Sequence, residues 1–557
     1  MKVGLFIPCY INAVYPEVGI ASYKLLRHVG VDVDYPMDQT LFYNPMANIN
    51  ATNDKTNRNV FISTFAEIQF PIEGLSFRTN FGYNYRNEFE GTYYGRNTLS
   101  GSKVNGSASI ENIHYYDYTW ENLLKYNKTF GLHKIDATAL FSMQETSKKE
   151  AKESGESFVN DDSEYHNMAG AEKNKEITSK LTETAMLSYM LRLNYSYANK
   201  YLLTLTGRSD GYSAFGKNNK YAFFPSVAAA WNMSSEEFME NQSNWMDMLK
   251  VRLSWGSNGN QAINPYQTLD RLKLTNYIWG DHGTVVNGSY LPTDGVGNPN
   301  LKWEETTTWN AGFDFGFLDN RITSSLDYYY RETKDLINVI DVPAGTNFKN
   351  RIVSNIGSLR NQGVEFSINA KAISTSDWKW DLGFNVAWNN NEITKLTAQD
   401  DASSIVLTGT VEGGTGTMIQ AQGVNHPANS FYVYEQVYDQ QGNPIEGLYV
   451  DRNGDGVIND EDRYFCHKPA ADVTMGFTSK LVWKAWDFSF SLRSNLGNYV
   501  YNNVASSNAA LSEGSINNKG YLSNRPLSAF DTNFQNMNVL SDYYVQNASF
   551  LRCDNIT

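Results

Sequence analysis

Long segments of strict alternation between apolar and polar residues restrict the fold of this chain more than any other feature. In residues 75–85 every odd position is apolar or aromatic except Thr79, and the even positions carry Ser, Arg, Asn or Gly. Successive side chains of a β-strand point to opposite faces, so the pattern predicts strands with one apolar face. The runs reach about 9–12 residues, enough to cross a bilayer at a tilt, whereas strands of globular proteins average about 5–6. Further runs lie at 187–197, 309–317, 378–388 and 477–492.

The connections between these runs alternate in length. Tight turns are predicted at 71–74, 198–200, 318–321 and 484–485, and long polar loops at 145–183, 257–305, 392–427 and 496–541. Short turns at one end and long loops at the other are typical of outer-membrane β-barrels. We therefore predict an all-β fold of roughly 15 antiparallel strands. Residues 59–495 are expected to form one continuous sheet, curved into the wall of a transmembrane β-barrel.

The composition agrees with such a barrel and argues against other classes. The 557 residues include 36 Tyr, 29 Phe and 12 Trp, yet the mean hydropathy is -0.47. A helical membrane protein would contain apolar runs of about 18 or more residues, and the sequence has none. The net charge of -14 argues against nucleic-acid binding, which needs a basic face. A large soluble β-protein with an aromatic core is the alternative that composition leaves open.

The alternation also assigns the two faces of the strands. Apolar residues of the segment 187–197 are expected to point outward, namely Leu187, Tyr189, Leu191, Leu193 and Tyr195. The polar residues between them, including Arg192 and Asn194, are expected to point inward. Arg78 and Arg493 are predicted to line the same interior.

Several segments resemble the SusC/RagA-type TonB-linked transporters of Bacteroidetes. The resemblance is carried by Leu193–Tyr197, Arg208–Gly216, Gly256–Gln261, Asn298–Glu304 and Asn355–Glu365. It covers residues 50–557 and implies an outer-membrane barrel that takes up oligosaccharides or peptides. In that family a plug gates the barrel, a SusD-like surface lipoprotein covers it, and the TonB complex supplies the energy. The resemblance implies no enzymatic activity, and the sequence offers no catalytic residues.

The chain departs from the family pattern at both ends. No signal peptide, TonB box or plug domain precedes the barrel segment, and the sequence stops at Thr557, where the family continues through further strands. A ring that lacks strands would leave two unpaired edges, which are costly in a bilayer. The expectation is therefore an incomplete barrel, a fragment that does not work as a transporter by itself.

Residues 1–45 have a different pattern and are predicted to be a short α/β segment foreign to the barrel. Two short apolar strands flank a helical face with the spacing of a βαβ unit. The segment resembles the start of a CCG-domain lactate-utilisation iron–sulfur protein, but Leu41-Phe42-Tyr43 replaces the Cys-Cys-Gly of that family. An iron–sulfur cluster needs several thiolates, and Cys9 alone does not supply them. A remnant of a cytosolic iron–sulfur redox protein is the competing function.

One segment fits the template of a calcium loop. Its oxygen ligands would come from Asp451, Asn453, Asp455, the carbonyl of Val457, and Asp462. Gly456 provides the sharp turn, and an Asp replaces the Glu that usually ends such loops. Calcium is expected to order this loop beneath a covering partner, without catalysis. An acidic turn with no ion is the alternative, and a calcium-dependent surface glycan-binding protein is a further functional class.

Overall fold

The computed structural model describes most of the chain beyond residue 50. The described residues are 2–4, 25, 28, 32–34, 51–242, 245–271, 273–279, 284–290, 296–341, 351–397, 403–411, 417–508, 510, 526–532, 534–537 and 539–557. Side chains are described within these ranges except at 2–4, 32–34, 241–242, 273–279, 284–290 and 341. Most of the predicted N-terminal helix, and Cys9, lie outside the described residues.

Fifteen long strands form the main sheet. In chain order they are β1 (Thr52–Gln69), β2 (Leu75–Tyr94), β3 (Ser107–Phe130), β4 (His133–Glu156), β5 (Lys173–Tyr197), β6 (Tyr201–Tyr212), β7 (Tyr221–Asn232), β8 (Met246–Asn260), β9 (Glu304–Phe317), β10 (Ile322–Lys334), β11 (Ser358–Ser374), β12 (Trp378–Lys395), β13 (Val473–Trp483), β14 (Trp486–Leu496) and β15 (Phe550–Ile556). Each strand pairs antiparallel with the next, so the order in the sheet follows the order in the chain. The prediction of one continuous antiparallel sheet of about 15 strands is confirmed.

The two ends of this sheet are not joined to each other among the described residues. There β1 pairs with β2 alone and β15 with β14 alone. Within the described residues the sheet therefore has two unpaired edges. The expectation of an incomplete barrel stays a prediction.

Six of the seven connections at one end of the sheet have five residues or fewer, and the seventh is 233–245. The seven connections at the other end have eight residues or more. At the tight end, backbone with positive φ makes the turns, as at Gly74, Gly131, Asn199, Asp319 and Lys484. A left-handed backbone conformation of this kind matches the twist of an antiparallel hairpin. The other end, called the loop end below, carries the connections 95–106, 157–172, 213–220, 261–303, 335–357, 396–472 and 497–549. The predicted alternation of turn and loop is confirmed.

One predicted loop is much shorter than expected. Residues 145–183 were expected to be a long polar loop, but β4 continues to Glu156 and β5 begins at Lys173. The strand ends 148–154 and 173–183 carry charged or polar side chains at most positions of both faces. Period-2 alternation marks a strand only where one face is apolar, so a strand that projects into water loses that signal.

Smaller elements fill the loop end. Four short strands, Ile405–Thr410, Met418–Gly423, Ser430–Val433 and Tyr464–Phe465, form a small sheet. Two-stranded sheets pair Gln436–Tyr438 with Pro444–Tyr449, Tyr499–Tyr501 with Val545–Asn547, Ile337–Asp341 with Arg351–Asn355, and Lys273–Trp279 with Thr284–Tyr290. The short helices here are Leu99–Val104, Asn503–Asn508 and Ala529–Thr532. No helix among the described residues is long and apolar enough to cross a membrane.

The buried apolar clusters of the described residues lie at this loop end. One joins Phe215, Phe224, Leu301 and Trp303. Another joins Phe431, Val433 and Val545, which come from the loops on either side of β13 and β14. The loops therefore have cores of their own, whereas the middle of the main sheet leaves its apolar side chains uncovered.

In the N-terminal segment, Lys2–Gly4 pairs in parallel with Asp32–Asp34. Leu25 and His28, between the two strands, are helical. This pairing is the one that a βαβ unit contains. The assignment of residues 1–45 to a segment foreign to the barrel stays a prediction.

Candidate functional site

The register places apolar side chains on one face of the sheet across adjacent strands. One row of directly paired residues runs through β5 to β10 as Leu193, Leu205, Val227, Trp255, Trp309 and Tyr330. Several members of this face are open to the surroundings, with Leu191 65% and Trp309 59% exposed. Leaving one large apolar side chain in water forfeits roughly 1.5–3 kcal/mol of burial energy. An apolar face of this width indicates contact with a bilayer.

Aromatic residues mark the two limits of this apolar face. Near the tight end, Trp245 stacks on Phe317 at 5.8 Å and Trp378 on Trp483 at 5.3 Å between ring centroids. Toward the loop end, the rings of Trp255 and Trp309 are 6.1 Å apart. On β9 the eight steps from Trp309 to Phe317 span about 26 Å along the strand at ~3.3 Å per residue, or about 20 Å along the membrane normal at a tilt of ~40°. The apolar band of an outer-membrane barrel is about 25 Å tall between two aromatic girdles.

The opposite face is polar and is held together by hydrogen bonds between strands. Arg252 binds Asp314 at 2.8 Å and Asp327 at 2.9 Å, bridging β8, β9 and β10. Gly312 makes room for this cluster, since a Cβ there would lie 2.4 Å from Asp327 Oδ1. Asn84 donates to Asp117 at 3.1 Å in the same way.

The arginines and asparagine predicted to point inward lie in such polar contacts. Arg192 donates to Thr206 at 3.2 Å and Asn194 to Asp136 at 3.2 Å, on the face opposite Leu191. Arg78 lies 3.6 Å from Glu67, and Arg493 lies 3.2 Å from Asp554. The two faces of β5 therefore have the polarity that the alternation predicted.

The acidic loop 451–462 is folded around its own carboxylates. Asp451 accepts backbone N–H groups of Gly454 at 2.7 Å and Gly456 at 2.8 Å, and both glycines have positive φ. Asp455 accepts the N–H of Val457 at 2.7 Å. Asn453 Oδ1 accepts from Asp455 N at 3.0 Å, and its side-chain amide donates to Asp455 Oδ2 at 3.2 Å.

Asp462, at the end of the loop, is hydrogen-bonded to residues at its beginning. It is 0% exposed, and its carboxylate accepts backbone N–H groups of Asn459, Arg452 and Asn453. These bonds stabilise the charged form and hold the pKa of Asp462 below its ordinary value. The described part of the chain, which includes this whole loop, contains no group of three or more His, Cys, Asp and Glu side chains arranged to hold a metal. Calcium binding at Asp451, Asn453, Asp455, Val457 and Asp462 stays a prediction.

A polar junction that sequence patterns did not reveal joins the two longest loops. Gln436 is 4% exposed, and its side-chain amide donates to the carbonyls of Ile445 at 2.7 Å and Leu448 at 3.2 Å. Ser541 donates to Gln436 Oε1 at 2.8 Å, and Asp542 accepts the N–H of Gln436 at 3.0 Å. No local pattern pairs residues that are about 105 positions apart, so only the folded chain shows this contact.

The described cysteines are unpaired thiols. Cys466 is half-buried and Cys553 is exposed. Burial raises the pKa of the Cys466 thiol to about 12, so it stays protonated at neutral pH. These two residues do not provide the thiolate ligands that the competing iron–sulfur interpretation needs.

Comparison with known protein families shows which family the chain belongs to. Residues 22–421 match the family described as TonB dependent receptor-like, beta-barrel. The chain belongs to this family of TonB-dependent receptors.

Curated relatives of this TonB-dependent receptor chain place it among SusC-like members. It is 40% identical over 520 residues to TonB-dependent receptor SusC of Bacteroides thetaiotaomicron, covering 92% of this chain and 51% of the relative. It is 35% identical over 509 residues to TonB-dependent receptor P3 of Formosa agariphila, covering 87% and 49%. The chain therefore spans about half the length of the curated relatives it matches. These relatives are receptors rather than enzymes, in agreement with the sequence.

A solved structure confirms the fold of the receptor barrel. The structure of the RagAB peptide transporter superposes with a TM-score of 0.76 at 22% identity, covering 94% of this chain and 59% of the other. A separate, short likeness is to Lactate utilization protein A of Halalkalibacterium halodurans, 36% identical over 73 residues, which is 13% of this chain and 30% of that protein. Both resemblances seen in the sequence are thus found by comparison, and the receptor likeness covers far more of the chain.

Family membership shows how the two faces and the two ends of the sheet are oriented in an outer membrane. The apolar face contacts lipid, and the face with Arg252, Asp314 and Asp327 lines the interior of the barrel wall. Tight turns of such barrels lie on the periplasmic side and long loops on the extracellular side. The loop 451–462 and the junction at Gln436 therefore lie outside the cell.

Proposed function

We propose that this chain forms the wall of an energised outer-membrane importer for oligosaccharides or peptides. The observation that carries the proposal is the long antiparallel sheet with a lipid-facing apolar side and a polar side, in a chain 40% identical to a SusC receptor. A polar interior of this kind suits the passage of hydrated solutes, which the apolar face would exclude. The RagAB structure is named for peptides, and the oligosaccharide class comes from the family resemblance of the sequence motifs, so the proposal includes both nutrient classes.

Two partners complete the proposed transport cycle. A SusD-like surface lipoprotein would cover the loop end, and the TonB complex would supply energy from the periplasmic side. The loop end supports the interaction with the lipoprotein because buried cores, such as that of Phe431, Val433 and Val545, hold its loops in place. The surface of these loops is therefore formed before a partner binds. Co-purification of the tagged chain from outer membranes with a lipoprotein and with TonB would support these partners, and purification of the chain alone would count against them.

Growth of a deletion strain tests the proposed import. Loss of the gene should abolish growth on one class of nutrient, either oligosaccharides or peptides, and leave growth on monosaccharides and free amino acids intact. The intact gene should restore growth, whereas Leu191→Arg should restore little, because it disturbs the lipid-facing surface. Unchanged growth of the deletion strain on both polymer classes would contradict the proposal.

We further propose that calcium orders the extracellular loop 451–462. The support is the clustering of Asp451 and Asp455 around two glycines with positive φ, which brings hard oxygen ligands together in a short turn. Hydrogen bonds from backbone N–H groups already position the carboxylates, and each carboxylate oxygen has a further lone pair that can coordinate an ion. The residues that would bind are Asp451, Asn453, Asp455 and Asp462, with the carbonyl of Val457.

Calorimetric titration of the whole chain in bilayers tests this site. The unaltered chain should release saturable heat with calcium at or below about 1 mM, and the Asp451→Ala, Asp455→Ala double variant should not. Asp439→Ala is the matched control, because Asp439 shapes another extracellular turn by accepting the N–H groups of Gln441 and Asn443. Absence of calcium heat from the unaltered chain would leave the loop as a turn without an ion.

A further inference from the structure

A polar recess lies on the interior face of the sheet, at its tight end. It extends across β10 to β15 and has a cavity volume of about 360 Å³. Glu365 pairs with Asp327 of the Arg252 cluster, and Lys371 lies six residues further along the same strand, so its side chain is on that interior face. The recess is therefore separate from the lipid-facing side and lies near the periplasmic end of the wall.

Cations outnumber carboxylates in this recess. Lys371, Asp381 and Lys480 are directly paired in one row across β11, β12 and β13, and all three line the cavity. Among the described residues, neither lysine forms an ion pair. Arg321 also lines the cavity, and its guanidinium donates to the backbone carbonyls of Lys371 at 3.1 Å and Ala372 at 3.0 Å. Three cations and one carboxylate leave the recess with an excess of positive charge, which attracts anions.

The next interior row of the recess contains hydrogen-bonding groups that the protein leaves open. Its members, directly paired across β11 to β15, are Asn369, Gly383, Thr478, Ser491 and Asn555. Among the described residues, the two asparagine amides and the two hydroxyls of this row have no hydrogen-bond partner. A Cβ at Gly383 would lie 2.7 Å from Thr478 Oγ1, so the glycine keeps the space beside that hydroxyl free. Further along the wall, by contrast, Ser325 and Ser367 bond to each other at 2.8 Å.

We propose that this recess binds a carboxylate group of the imported cargo, an inference that rests on the proposed import. The ammonium groups of Lys371 and Lys480 attract the anion. The amides of Asn369 and Asn555 and the hydroxyl of Thr478 donate hydrogen bonds to its oxygens, and hydrogen bonds to an ionised acceptor are the stronger kind. The carboxylate belongs to an acidic sugar unit of an oligosaccharide or to the C-terminus of a peptide. In either nutrient class the recess therefore favours acidic cargo over neutral cargo.

Binding of matched probes with and without a carboxylate tests the proposal. The chain is folded into bilayers and titrated calorimetrically with tri-galacturonic acid or neutral galactotriose, and with trialanine or trialanine amide. In each pair the probe with the carboxylate should bind more tightly, by roughly tenfold or more. This preference should shrink in about 1 M salt, where the Debye length falls to about 3 Å and the attraction is screened.

Matched variants separate the recess from the rest of the interior. Lys371→Gln and Lys480→Gln each remove one cation and keep an amide, and each should weaken binding of the carboxylate probes roughly tenfold. Lys125→Gln is the control, because Lys125 pairs with Thr138, which pairs with the interior Arg192, and lies outside the recess. It should leave binding unchanged. Folding of each variant is checked by its heat-dependent migration on a gel.

Three results would overturn the proposal. They are equal binding of the matched probes by the parent, undiminished binding of the carboxylate probes by the folded Lys371→Gln and Lys480→Gln variants, and an equal loss of binding in Lys125→Gln. Preference for tri-galacturonic acid alone would assign the recess to acidic sugars, and preference for trialanine alone would assign it to peptide C-termini.

The result for the recess is independent of the result for import. A deletion strain that grows on both polymer classes contradicts the import proposal, whichever probes the chain binds. Lost growth of that strain, together with equal binding of the matched probes, contradicts the recess alone.

Discussion

Replacement of Leu191 by Arg tests the assignment of faces on which the transport proposal depends. The lipid-facing positions of β5 are apolar from Tyr197 to Leu187. Those ten steps span about 33 Å along the strand at ~3.3 Å per residue, or about 25 Å along the membrane normal at a tilt of ~40°. Leu191 is six steps from Tyr197, so it lies about 15 Å up this band and within roughly 3 Å of its midplane.

The expected cost follows from this depth. Arg near the midplane of the lipid face destabilises such a barrel by about 2–4 kcal/mol. If the same face were in water, Leu191, already 65% exposed, would tolerate Arg within about 0.5 kcal/mol. A lipid-facing and a water-facing position therefore predict losses of unfolding free energy that differ severalfold.

Urea unfolding of the bilayer-inserted chain provides the measurement, with Asn194→Lys as its control. Asn194 lies on the opposite face of the same strand and donates to Asp136, so a lysine there keeps an acidic partner. The control should lose less than about 1 kcal/mol. Equal losses of unfolding free energy at the two positions would refute the assigned faces.

Three further predictions address the wall and its two ends. Arg252→Leu removes the ion pairs with Asp314 and Asp327 and should lower the free energy of unfolding in urea by about 1.5–3 kcal/mol. An unchanged urea midpoint would show that this cluster does not stabilise the wall. Gln436→Ala leaves buried carbonyls unpaired and should lower the free energy of unfolding by about 1–3 kcal/mol. It should also speed amide hydrogen exchange across 436–449, and unchanged exchange would show that the junction does not stabilise these loops. Trp231, Tyr201 and Lys200 donate hydrogen bonds to Glu236 and hold its pKa at about 2, below the ordinary 4.5. Its contribution to stability is therefore present above pH 4.5 and is lost as pH falls toward 2, so Glu236→Gln should flatten this part of the pH dependence of unfolding, and an identical acid profile would contradict the assignment.

The amino-acid sequence by itself determined the fold class, the approximate strand number and the polarity of the two faces. These properties depend on alternation and on turn residues, which are local, so Leu191 and Arg192 could be assigned to opposite faces without a structure. The candidate loop 451–462 was also visible, because a calcium template lies within twelve consecutive residues.

Only the tertiary structure decided the features that combine distant residues. The sequence predicts a loop at the charged ends of β4 and β5, because strands surrounded by water show no alternation. The junction of Gln436 with Ser541 depends on loop packing, and the pairing of Leu253 with Ala229 and Ala311 depends on strand register. Register is set by the pairing of whole strands, so alanines in β7 and β9 become neighbours of one leucine in β8 through contacts that no single segment specifies.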